Sequence, residues 1–186
     1  MILSFKTKIN DKPTYFPEKI ITGLFKSQII SREKAIELFY PQSLMKMVPM
    51  EYHGIKSDVA ISKVKFDNSI DHSPKIHTIR KDDKNRWKPG IMIDFFINAR
   101  HKDMFRFAPR IPVVSTQKIR IIHLKDTLLG VVLSHKMYVL IDGKRLSDDE
   151  IDKLAINDGF KDGWAFFEYF NEDFEGKIIH WTNLQY

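Results

Sequence analysis

Residues 73–90, SPKIHTIRKDDKNRWKPG, set a lysine, a threonine and an arginine at K-x-x-T-x-R, then a charged turn closing on Trp-Lys-Pro-Gly. Each of the three side chains has chemistry available to it. A lysine amine becomes a base when burial or a neighbouring cation lowers its pKa. A threonine hydroxyl becomes a nucleophile once a base takes its proton. An arginine fork suits planar anions and bases. Lys75, Thr78 and Arg80 therefore read either as the floor of a site for an anionic ligand or as an ordinary edge strand before a solvated loop. Strand alternation puts Thr78 and Arg80 on one face, with Ile76 below them, and His77 and Ile79 on the other. Lys75 has the wrong parity for the Thr78 face, so the two meet only if the strand begins after Lys75. Pro74 favours that, because it sets an entering loop.

Further candidates lie nearby. Arg80 contacts a ligand or pairs with Asp82, Asp83 or Asp158. Trp87 stacks a base, worth about 1–3 kcal/mol in single-strand binding, or packs beside Pro89. Arg80, Arg86 and Trp87 make up the expected ligand-binding set. The seven histidines show neither H-x-x-x-H nor H-E-x-x-H spacing, so no zinc site is expected. No glycine-rich phosphate loop or G-x-S-x-G elbow occurs, and no cofactor is expected.

The 186 residues are 43% hydrophobic and 29% charged, enough to bury a core. The absence of cysteine excludes disulfides, thiolate metal sites and a cysteine nucleophile, and fits a reducing, cytoplasmic setting. No apolar run reaches the roughly 18 residues of a spanning helix, so no membrane partner is expected. The net charge of +6 is uneven. Residues 71–140 carry 14 Lys/Arg against 6 Asp/Glu, and residues 141–186 carry 5 against 11. A basic middle beside an acidic end favours one positive face over a uniform coat.

The elements that must position these residues can be read in turn. ILSFK is an opening strand, and FPEKIITGLFKSQII is a helix with Pro17 at its start. SREKAIELFY is a second helix capped by Ser31. Residues 41–73 are irregular, apart from a short strand near VAISKVKF. The chain then turns β-rich, with a hairpin signal at Asp142-Gly143. A helix opens on a Ser147/Glu150 capping box and ends at Gly159. A short helix follows, with Trp164, Phe167 and Phe170 expected in the core, and KIIHWTNL closes as a strand. The expected fold is α+β, a small, partly open β-barrel with helices on one side. Residues 1–186 form one domain with an insertion at 26–74.

PKIHTIR, NRWKPG and the late LAINDGF…FFEYF…GKIIHWTNL, together with FPEKIITGL and its Gly23, resemble the ASCH family, whose fold is PUA-like. The resemblance implies binding of RNA or of a modified nucleoside. It also implies an alternative, since some members are amidohydrolases that deacetylate N4-acetylcytidine with a lysine, a threonine and an acid. Carried onto this chain, those residues are Lys75, Thr78 and, in the late helical segment, Asp158. Asp158 stands where those members carry Glu. A third reading is an interaction module that binds a protein partner through residues 26–74, with Met45, Met47 and Met50.

Overall fold

A computed structural model describes residues 1–39, 73–129 and 131–186. The strand expected near VAISKVKF, the three methionines and most of the 26–74 insertion lie outside the described residues. The chain divides into two compact units. The first takes residues 1–39, 73–76 and 92–111, and the second takes residues 77–91 and 112–186.

In the first unit, β1 (Ile2–Phe5) runs parallel to β5 (Met92–Ile97), with Ile2 against Asp94 and Phe5 against Ile97. Alternation along β1 buries Leu3 and Phe5, while β5 buries Ile93, Phe95 and Ile97. Phe5 stacks on Phe95 at 6.0 Å and meets Phe107 edge-on at 5.8 Å, the offset geometries that ring quadrupoles favour. β6 (Phe105–Arg106) pairs antiparallel with β5, and β7 (Ile111–Pro112) pairs with β5 as well. β2 (Lys8–Ile9) and β3 (Lys12–Pro13) make a separate small ribbon. α1 (Phe16–Lys26) carries Pro17 in its first turn and buries Ile20, Ile21 and Leu24. α2 (Arg32–Leu38) starts on Ser31, whose hydroxyl accepts from the Lys34 N–H, and packs Ala35 and Phe39 against Ile21.

The second unit is one antiparallel sheet of five strands, in the order β10-β9-β8-β11-β4. These are β4 (His77–Arg80), β8 (Ser115–Leu128), β9 (Val131–Ile141), β10 (Lys144–Arg145) and β11 (Phe174–His180). Asp142 and Gly143, at φ 50° and 87°, make the tight turn between β9 and β10 that their types predict. Two helices, α3 (Asp148–Asn157) and α4 (Gly163–Tyr169), share a core with the sheet. Ile79, Ile119, Ile121, Val139, Ile141 and Ile178 from the strands meet Ile151, Leu154 and Phe166 from the helices. The capping box forms as read: the Ser147 hydroxyl accepts from the Glu150 N–H, and the Glu150 carboxylate accepts from the Ser147 N–H.

The class is α+β, with four helices among the described residues and three sheets, none closed into a barrel. No helix among the described residues is long and apolar enough to cross a membrane. Two expectations need correction. Trp164 is 73% exposed, because the face that α4 turns to the core carries Phe166 and Phe170 instead. α1 stops at Lys26, short of the Ile30 that closes the stretch read as this helix.

Gly176 of β11 is a point of close approach. A Cβ there would stand 2.5 Å from the Arg80 carbonyl oxygen and 2.7 Å from the Phe174 ring. Gly176→Ala should therefore destabilise the protein by roughly 1–3 kcal/mol, a shift that denaturant unfolding would register without change in slope. Leu154→Ala, which empties the helix–sheet core, should cost about 2–5 kcal/mol.

Candidate functional site

β4 is the strand that carries the sequence motif, and it starts at His77. Lys75 thus lies before the strand, the condition under which it escapes the parity rule. In the first unit its backbone N–H donates to the Lys19 carbonyl at 3.0 Å. Gly23 lets α1 come close, since a Cβ there would be 2.6 Å from the Lys75 carbonyl oxygen. Its Nζ stands 4.8 Å from the centre of the Phe16 ring, within cation–π range, and the residue is 1% exposed. Lysines are rarely this buried.

In the second unit β11 holds β4 in register, with Lys177 opposite Arg80, Ile178 opposite Ile79, Ile179 opposite Thr78 and His180 opposite His77. β11 also places Ser115 of β8 opposite His180. His77, His180 and Ser115 therefore form a row across three adjacent strands, on the side of Ile79 and Ile178. Thr78 is 2% exposed.

Asp158 is placed by the end of α3. Its N–H still bonds the Leu154 carbonyl at 2.9 Å, and Gly159 then takes φ 90°, the left-handed stop that favours glycine. The side chain is 4% exposed, and Oδ1 lies 3.5 Å from His77 Nδ1. Asp158 also acts on Arg80. Burial lowers the Arg80 pKa, while the charge of Asp158, and then that of Tyr169, opposes the shift. The structure thus brings Asp158 together electrostatically with Arg80 and His77. Lys75 belongs to the other unit.

The turn after β4 is organised by Asp82. Its carboxylate accepts from the Arg86 N–H at 2.9 Å and the Trp87 N–H at 3.0 Å, and it pairs with Lys177 at 3.1 Å. Burial alone would raise its pKa. The two backbone hydrogen bonds and Lys177 outweigh that and hold it below the ordinary 3.8. Lys177 also donates to the Trp87 carbonyl and to Asn85. Trp87 is 5% exposed, so its ring packs inside, whereas Lys81, Lys84, Arg86 and Lys88 are exposed.

The sequence singles out neither Asn157 nor Tyr186, and His77 and His180 were weighed there only among the histidines tested for zinc spacing. The Tyr186 hydroxyl is 2.7 Å from His77 Nε2 and accepts from Asn157 Nδ2 at 2.9 Å. The His77 and His180 rings meet edge to face at 5.4 Å. A signal for the histidine pair was present, since KIHTIR and KIIHW set one histidine in each of two apolar strands. Nothing in the sequence marks Tyr186 as their partner. Burial lowers the His180 pKa to about 3, His77 adds to the shift, and Asp142 opposes it. Among the described residues no cluster of three or more His, Asp or Glu side chains is arranged to hold a metal ion.

Two outcomes follow. Asp82→Asn should cost roughly 2 kcal/mol at neutral pH by weakening charge-assisted bonds. Because the folded carboxyl has the lower pKa, its contribution is present above about pH 4 and fades as pH falls through the folded value, so wild type and variant should converge in acid unfolding curves. For His180 the unfolded chain binds the extra proton between pH 6.5 and about 3. Stability should therefore fall with acid across that window, with a slope approaching about 1.4 kcal/mol per pH unit from this group. His180→Leu should flatten the slope, as read by denaturant midpoints at pH 7, 5.5 and 4.5.

Compared with known proteins, the chain matches no family model, no curated protein and no solved structure.

Proposed function

We propose that this chain is a PUA-like module of the ASCH kind, its strands belonging to a partly open barrel, that binds RNA or a modified nucleoside in the cytoplasm. The observation that carries this reading is polar burial, in the first unit of Lys75 at 1% exposure and in the second of Thr78 and Asp158 at 2% and 4%. Two of the three are charged types that are almost never fully buried without a partner, and polar groups kept from water at such cost cluster at functional sites. Arg80, half-buried and within the influence of Asp158, supplies a fork for a planar ligand. The exposed cations Lys81, Lys84, Arg86 and Lys88 follow directly and suit phosphates.

A short RNA, followed by fluorescence anisotropy between 50 and 200 mM salt, tests the reading. Affinity should fall with salt, with a slope set by a few phosphate contacts, and Lys75→Ala or Arg80→Ala should weaken it about ten-fold. Unchanged affinity in both variants removes the proposed site.

The burial of Thr78 favours a second reading, an amidohydrolase acting on an acylated cytidine. The Thr78 hydroxyl would attack the acetyl carbonyl and the cytosine amine would leave with a proton. Water would then release acetate from the threonine ester. Absorbance during incubation with N4-acetylcytidine measures turnover. Loss in Thr78→Ala supports the reading, and turnover that survives this change excludes Thr78 as nucleophile.

A further inference from the structure

Tyr186 is held in the second unit by both its side chain and its backbone. Its hydroxyl oxygen accepts from Asn157 Nδ2 at 2.9 Å and lies 2.7 Å from His77 Nε2. Its N–H donates to Gln117 Oε1 at 2.9 Å, its carbonyl accepts from Gln117 Nε2 at 2.9 Å, and Gln117 Nε2 also donates to Asp142 at 3.0 Å. The ring stands edge-on to His77 at 5.5 Å and tilted against His180 at 6.0 Å. Asp158 Oδ1, an acceptor, lies 3.5 Å from His77 Nδ1 and favours the imidazole N–H on that nitrogen. In that tautomer Nε2 accepts from the Tyr186 hydroxyl, whose oxygen accepts in turn from Asn157.

The neighbouring polar groups are less well answered. His180 is fully buried, yet neither ring nitrogen has a hydrogen-bond partner among the described residues. Neither does Ser115 Oγ, which belongs to the residue opposite His180 in the strand register. Buried polar atoms of this kind call for a partner. A phenol with one hydroxyl serves His77 and Asn157 and leaves the other row members unserved. A planar heterocycle with donors and acceptors at several edge positions would serve both sets, using aromatic neighbours that already receive a six-membered ring.

We infer that the place held by Tyr186 is a docking site for a planar heterocycle with both donor and acceptor atoms on its edge, the chemistry of a nucleobase, and that Tyr186 is a removable stand-in for it. The inference rests on the nucleoside reading above and assigns base recognition to His77, His180, Ser115 and Asn157. Asp158 stands one contact behind, orienting His77. Gln117 is the pin that keeps the stand-in seated.

Cytidine binding by isothermal titration, with imidazole 15N shifts as a second readout, tests this on wild type, Tyr186→Ala and Gln117→Ala. Tyr186→Ala should bind cytidine at least ten-fold more tightly than wild type, and cytidine should move the His180 nitrogens. Gln117→Ala, which frees the backbone of Tyr186 without removing its ring, should shift affinity the same way and carries the test if Tyr186→Ala prevents cooperative unfolding. Affinity no tighter than wild type in variants that unfold cooperatively overturns the inference, and so does tighter binding that leaves His180 unmoved. Lys75→Ala and Arg80→Ala in the Tyr186→Ala background separate the two readings. Tight binding indifferent to both substitutions keeps the Tyr186 site and removes the one that needs Lys75 and Arg80. Wild-type binding that needs Lys75 and Arg80, but gains nothing from Tyr186→Ala, does the reverse.

Discussion

The pairing of His77–Arg80 with Lys177–His180 is the constraint on which the second unit turns. Only four residues long, β4 must put Ile79 into the core, hold Thr78 away from water and present His77 to Asp158 and Tyr186. A slip of one residue would exchange every side chain between faces, taking Ile79 out of the helix–sheet core and putting the Thr78 hydroxyl in its place. Several contacts oppose that slip. The bare face of Gly176 admits the Arg80 carbonyl, and Lys177 ties the next strand to the turn through Asp82 and the Trp87 carbonyl. Register here is fixed by packing and by charge together.

Polar burial runs through the same region and sets its energetics. Desolvating a carboxylate or a guanidinium is costly unless other groups answer it. Asp82 meets that cost with two backbone donors and a lysine. Asp158 meets part of it through His77 and Arg80. His180 has no such answer among the described residues and stays neutral well into acid. Both folded pKa values are lowered, so both groups contribute stability that is lost in acid, the Asp82 carboxylate because donors and charge hold it ionised and the His180 imidazole because burial resists its protonation.

Local chemistry was legible in the sequence, and long-range chemistry was not. The Ser147/Glu150 box, the Asp142-Gly143 turn, the Ser31 cap and the Gly159 stop are written within four residues each, and all formed. The close approach that Gly23 permits inside α1 depends on a neighbour, Lys75, that nothing local to the helix reveals. Trp164 was misplaced because α4 is two turns long and rich in aromatic residues, so several faces look equally apolar. Lys75, Thr78 and Asp158 were singled out from residue types and their order along the chain, and their burial was not foreseen. Tyr186 had no local signature at all. Its role depends on Gln117, 69 residues away, and on His77, 109 residues away.

The clasp at Asp82 has one more implication. The carboxylate shapes its turn through main-chain N–H groups of Arg86 and Trp87, so the outward cations at 81, 84, 86 and 88 contribute little to the loop's form. Form and charge are thereby uncoupled on this corner of the molecule. Its electrostatic character can be rewritten, to neutral or even to acidic, on a frame that keeps its shape.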